Sequence, residues 1–119
     1  MKEINILGTK YAIIFCNYQN DTSFEKYKID GYCDGITKSI HVCNMNTYPG
    51  YESESPEYCK KIEIHILKHE IIHAFLNESG LQSSAVSIDG SWAENEEMVD
   101  FFACQFSKIY DVYKELGLI

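Results

Sequence analysis

The chain has 119 residues, 45% of them hydrophobic, which suits one compact domain over residues 1–119 burying roughly two-thirds of the surface its unfolded form exposes. Eighteen acidic against 10 basic residues give a formal charge of −8, and no run of Lys or Arg offers a basic face, so nucleic acid is not an expected partner. No window approaches the ~20 apolar residues that span a bilayer and Met1 to Asn5 lacks a leader pattern, so no membrane contact and a cytoplasmic location are expected.

The first half reads as strands. Tyr11 to Cys16 is a short apolar and aromatic run, bounded by Gly8-Thr9 and by the polar stretch Asn17 to Asp21, which predicts a buried strand. Ile29 to Cys33 and Ser39 to Cys43 flank Asp34-Gly35-Ile36-Thr37-Lys38. An Asp-Gly pair tolerates the positive φ angles of a tight reversal, and a β-hairpin is expected there. Asn44 to Glu54, with Pro49-Gly50 and no sustained period, reads as a surface loop. The five cysteines, Cys16, Cys33, Cys43, Cys59 and Cys104, are odd in number and lack C-x-x-C spacing, so reduced thiols are expected.

The second half reads as two helices. Ser55-Pro56-Glu57 presents a capping side chain, a proline at the first helical position and an acid in the first turn. Ile62, Ile66, Leu67, Ile71, Ala74 and Phe75 then recur at three and four residues as a core-facing stripe, and Gly80 supplies a left-handed stop, which ends the helix near residue 78. Residues 80–91 lack helical period. Ser91 and Glu94 have capping-box spacing, with Asn95 an equal candidate, so the next helix starts between 91 and 96. Val99, Phe102, Phe106, Ile109, Tyr113 and Leu116 form its stripe and Gly117 its stop. The expected fold class is α+β: a small, mainly antiparallel N-terminal sheet packed on two C-terminal helices.

His69-Glu70-Ile71-Ile72-His73 is an H-E-x-x-H run in the middle of the first of those helices. Four residues advance a helix about 6 Å and turn it ~40° past a full turn, so both imidazoles lie on one face and can share a tetrahedral zinc ion. Glu70 points beside that ion, where it can take a proton from a water whose pKa zinc lowers to about 7. His65 continues the spacing but sits about 12 Å from His73 along the axis, too far for one ion. A further ligand must therefore come from elsewhere. Metzincin spacing requires glycine and histidine where the chain has Leu76 and Ser79, which excludes that class.

The remaining source is the acidic start of the second helix, where Glu94, Glu96, Glu97 and Asp100 cluster. If Glu96 binds, Asp100 lies one turn on and can accept the free ring N–H of a liganding histidine, while Glu97 points about 100° away. Spacing alone leaves Glu94 and Glu97 as alternatives to Glu96.

H-E-x-x-H followed by Glu96-Glu97-Met98-Val99-Asp100 on a second helix resembles the zincin metallopeptidases of gluzincin type. More narrowly, Ser39 to Asn44, Leu67 to Phe75 and Glu96 to Ala103 look like the small phage-type and ImmA/IrrE-like neutral zinc metallopeptidases. The resemblance implies a minimal zincin-like domain, zinc on His69, His73 and Glu96, catalysis by Glu70 and orientation by Asp100. It also implies that Ile40 to Asn44 lies at the sheet edge and pairs with an extended peptide. Two departures stand out: Cys104-Gln105-Phe106 replaces the Leu-Met-Pro ending of ImmA-like members, and no partner domain accompanies the motif.

The expected function is zinc-dependent hydrolysis of a peptide or protein substrate, with Glu70 as general base. His41, Tyr48, Tyr51 and His65 are possible oxyanion donors by residue type, and none is assigned. The alternatives are a non-catalytic, zinc-stabilised protein-binding module of phage or mobile-element kind, and hydrolysis of a non-peptide amide.

Overall fold

The computed structural model describes residues 2–82 and 92–119. It is an α+β fold. Strands β1 (Lys2–Ile6), β2 (Thr9–Cys16), β3 (Gly31–Asp34) and β4 (Ser39–Cys43) form one sheet in the order β1-β2-β4-β3, with helix α1 (Thr22–Tyr27) between β2 and β3. Helices α2 (Pro56–Glu78) and α3 (Glu96–Glu115) follow. Two of the three pairings are antiparallel, and only β2 and β4 run parallel.

Alternation along the strands sorts the residues between two faces. A side chain at Gly31 would meet Ile66 of α2, so β3 turns Gly31 and Cys33 toward that helix, together with their partners Val42 and Ile40. By register, Ile13 and Tyr11 of β2 share this face, and all four large side chains are buried under α2 with Ile66 and Ala74. The opposite face holds Tyr32 stacked on His41, centroids 4.4 Å apart, with the buried Phe24 of α1 beside them at 6.1 Å.

The helix ends follow the sequence chemistry. Ser55 Oγ accepts from the Tyr58 amide with Pro56 in the first turn, and Gly80 takes φ +86° just past the end of α2. Asn95 caps α3, accepting from the Met98 amide at 2.8 Å, so the helix opens at Glu96 and Glu94 lies in the short 3₁₀ turn Trp92–Glu94. Ser91, the other capping candidate, falls outside the described residues. Along α3 only Val99 is buried; Phe106, Tyr113 and Leu116 of its stripe are 59%, 49% and 67% exposed, and Phe75 on α2 is exposed at 39%.

Three expectations are corrected. The strand Ile40 to Asn44 is not at the edge: β4 pairs with β2 on one side and β3 on the other, so its backbone groups are used, and β1 and β3 are the two edges, β3 being the one next to β4. The β3–β4 turn also works differently. Asp34 Oδ1 accepts from the Ile36 and Thr37 amides at 2.9 and 3.1 Å, and the left-handed residue is Lys38 at φ 59°, whereas Gly35 is small because Asn77 of α2 occupies the space of a side chain. Finally, the first half is not strands alone: Asp21, at the end of the polar stretch, accepts from the Ser23 amide and starts helix α1 (Thr22–Tyr27). Among the described residues no helix is long and apolar enough to cross a membrane.

Candidate metal centre

Helix α2 carries both histidines on one face, and α3 runs antiparallel beside it, as His69 and His73 reach Glu96 while His65 and His69 reach Asp100. The Nε2 atoms of His69 and His73 are 3.1 Å apart. Glu96 faces both, with Oε2 2.7 Å from His69 Nε2 and Oε1 3.0 Å from His73 Nε2. Of the acidic cluster, Glu96 is the member that the start of α3 turns onto the histidines; Glu94 and Glu97 are exposed and form no ion pair with a histidine among the described residues.

Asp100, one turn further along α3, accepts a hydrogen bond from His69 Nδ1 at 2.7 Å. That bond leaves the lone pair of His69 on Nε2, facing Glu96 and His73. Asp100 is itself half exposed. His65 stands at the rim, its Nε2 3.9 Å from the same Asp100 oxygen. It shares the aspartate rather than the imidazole cluster.

Glu70 differs from the other acids. It is 6% exposed, and its Oε2 has no hydrogen-bond partner among the described residues. Burial, with the charges of Glu96 and Asp30 and against that of His69, pushes its pKa up to about 7. Burial also holds His73 below the usual histidine value, opposed by Glu96 and reinforced by His69. At His69 burial acts in the same downward sense, but the Asp100 hydrogen bond and the charges of Glu70, Glu96 and Asp100 outweigh it and raise the value.

These donors fit zinc. The metal-competent atoms of His69, Glu70 and His73 lie within 4.8 Å of one another, and the Glu96 oxygens are closer still to the imidazoles. Ligand atoms around a tetrahedral zinc ion, each ~2.1 Å from it, stand about 3.4 Å apart, a few tenths of an ångström beyond the separations seen. Two ring nitrogens and a carboxylate aimed at one point form an electron-rich group that protons or a metal cation can satisfy.

The cluster opens into a cavity of about 440 Å³ lined by Ile29 and Asp30 just before β3, by Gly31 and Tyr32 of that edge strand, and by His65, Ile66, His69, Glu70, Glu96 and Asp100 from the helices. Asp30, Gly31 and Tyr32 carried no motif, and their role follows only from β3 being the edge. Of the residues considered as oxyanion donors, His41 lies under Tyr32 with its Nε2 on Ser39 Oγ, and Tyr48 and Tyr51 belong to an aromatic cluster with Tyr18 and Tyr58; only His65 reaches the cavity.

No protein-family model matches the chain, and neither a curated protein nor a solved structure matches it. The functional reading therefore rests on the side chains themselves.

Proposed function

We propose that the chain is a zinc-dependent metallopeptidase in which His69, His73 and Glu96 hold the metal and Glu70 is the general base. The observation that carries this reading is the convergence of two Nε2 atoms and one carboxylate beside a buried glutamate with an unpartnered oxygen. Zinc, when bound, supplies the Lewis acidity that activates water and polarises a carbonyl. Asp100 holds the His69 ring with its Nδ1–H engaged, so that Nε2 is kept bare. Glu70 accepts the proton of the attacking water and returns it to the departing amine. Gly31 brings the edge-strand backbone against the site, where an extended peptide can add as a further strand.

The test is metal content followed by proteolysis. Purified protein is expected to hold one zinc, His69→Ala and His73→Ala to lose it, and Glu70→Gln to keep it while cleavage falls by at least about 100-fold. Unchanged cleavage by Glu70→Gln removes the assigned roles. Full zinc occupancy without cleavage of any peptide in a broad library moves the protein to the zinc-stabilised binding module.

A further inference from the structure

We propose that Asp30 forms a subsite for a positively charged group of the substrate, a Lys or Arg side chain or a free peptide amine, next to Glu70; the inference rests on the hydrolase reading for its choice of ligand. The other three carboxylates of the cavity have assigned work: Glu96 spans both imidazoles, Asp100 holds His69, and Glu70 is the buried base. Asp30 is half buried and its side chain has no hydrogen-bond or ion-pair partner among the described residues, since only its backbone oxygen is used, accepting from the Cys43 amide at 2.9 Å.

Two observations turn this acid into a ligand site. The 440 Å³ cavity is lined by four carboxylates and by no Lys or Arg, and its two basic side chains, His65 and His69, are turned to Asp100 rather than to Asp30. Separately, Glu70 lines the same cavity at 6% exposed, and its buried Oε2 has no partner among the described residues. Asp30 immediately precedes the edge strand β3, so a chain paired along Gly31–Asp34 passes its carboxylate. A cation at this position gains a charge-assisted hydrogen bond in a partly desolvated cleft and relieves the crowding of negative charge beside Glu70.

Binding of small probes to the zinc-loaded protein, followed by NMR titration, tests the subsite without requiring turnover. Acetyl-arginine amide is expected to bind at least about tenfold more tightly than its neutral isostere acetyl-citrulline amide. Leucine amide against acetyl-leucine amide reports the amine in the same way, so the two pairs tell which source of positive charge is used. Asp30→Asn should bring the favoured pair to within about twofold, and Asp30→Glu should retain the difference. Equal affinities within both pairs for the native protein, or a preference that survives Asp30→Asn, overturn the subsite. A charge preference in a protein that cleaves no peptide overturns the hydrolase reading and leaves the subsite standing; peptide cleavage with no charge preference does the reverse.

Discussion

A glutamate that is 6% exposed, with one oxygen unpartnered, resists ionisation, and burial first among its causes raises Glu70 to about 7 from an ordinary value of 4.5. In the metal-free protein such a raised group gives stability that is fully present below pH 4.5 and lost as pH rises through 7, because the folded form keeps a proton the unfolded form has shed. Glu70→Gln removes that ionisation. Urea unfolding of the chelated protein should show the variant equal to wild type near pH 4.5 and more stable by about 3 kcal/mol at pH 8. Equal midpoints at pH 8 mean that Glu70 ionises without cost. Asp100 is tested through the metal instead: it touches only His69 and His65, so Asp100→Ala should weaken zinc binding by about 10–100-fold in a competition titration with a chromophoric chelator.

Gly31 and Gly35 lie four residues apart around the β3 hairpin and answer to different neighbours. A side chain at Gly31 would collide with the stiff β-branched Ile66 and stand 3.0 Å from the His41 carbonyl oxygen, whereas at Gly35 it would meet only the movable amide of Asn77. Gly31→Ala should therefore cost about 1–3 kcal/mol and Gly35→Ala clearly less, read from denaturant midpoints. Equal costs would show that β3 is not pressed on α2. This close approach also marks the limit of what the sequence discloses. The α2 cap at Ser55, the Gly80 stop and the α3 cap at Asn95 were legible because each relies on local chemistry within three residues. The H-E-x-x-H run was legible for the same reason, as helical spacing decides which side chains share a face, whereas spacing left Glu94 and Glu97 open beside Glu96 because the placement of α3 against α2 is not local. Strand order was not, since nothing local tells β4 to sit between β2 and β3. Strand β1 was hidden because its two-residue turn puts Leu7 at φ 51° ahead of Gly8 at φ 92°, and leucine is outside the usual vocabulary of that turn.

Helix α2 ties the molecule together: capped by Ser55 at one end, carrying His69 and His73 at its middle, and fixed to the sheet at the other end by Glu78. Tyr11 donates to Glu78 Oε1 at 2.7 Å, Thr9 to Oε2 at 3.0 Å, and Lys38 closes the group as an ion pair. The Lys38 contact, then those from Tyr11 and Thr9, hold the Glu78 pKa down to about 2. A depressed acid contributes stability that is present above its unfolded value of about 4.5 and lost as pH falls through 2. Glu78 and Glu70 thus act in adjacent windows with opposite slopes, one raising stability from pH 2 to 4.5 and the other lowering it from 4.5 to 7. Taken alone, these two contributions sum to the greatest stability near pH 4.5. Denaturant midpoints from pH 3 to 8, read as differences from wild type, should show Glu78→Gln losing pH dependence on the acid side and Glu70→Gln losing it on the neutral side. Zinc should erase the neutral-side decline, because a divalent cation beside Glu70 favours its ionised form. A Glu70→Gln profile that runs parallel to wild type from pH 4.5 to 8 without metal contradicts the assignment of Glu70 as a buried, unpaired acid, and with it the feature that most sets this carboxylate apart as a base.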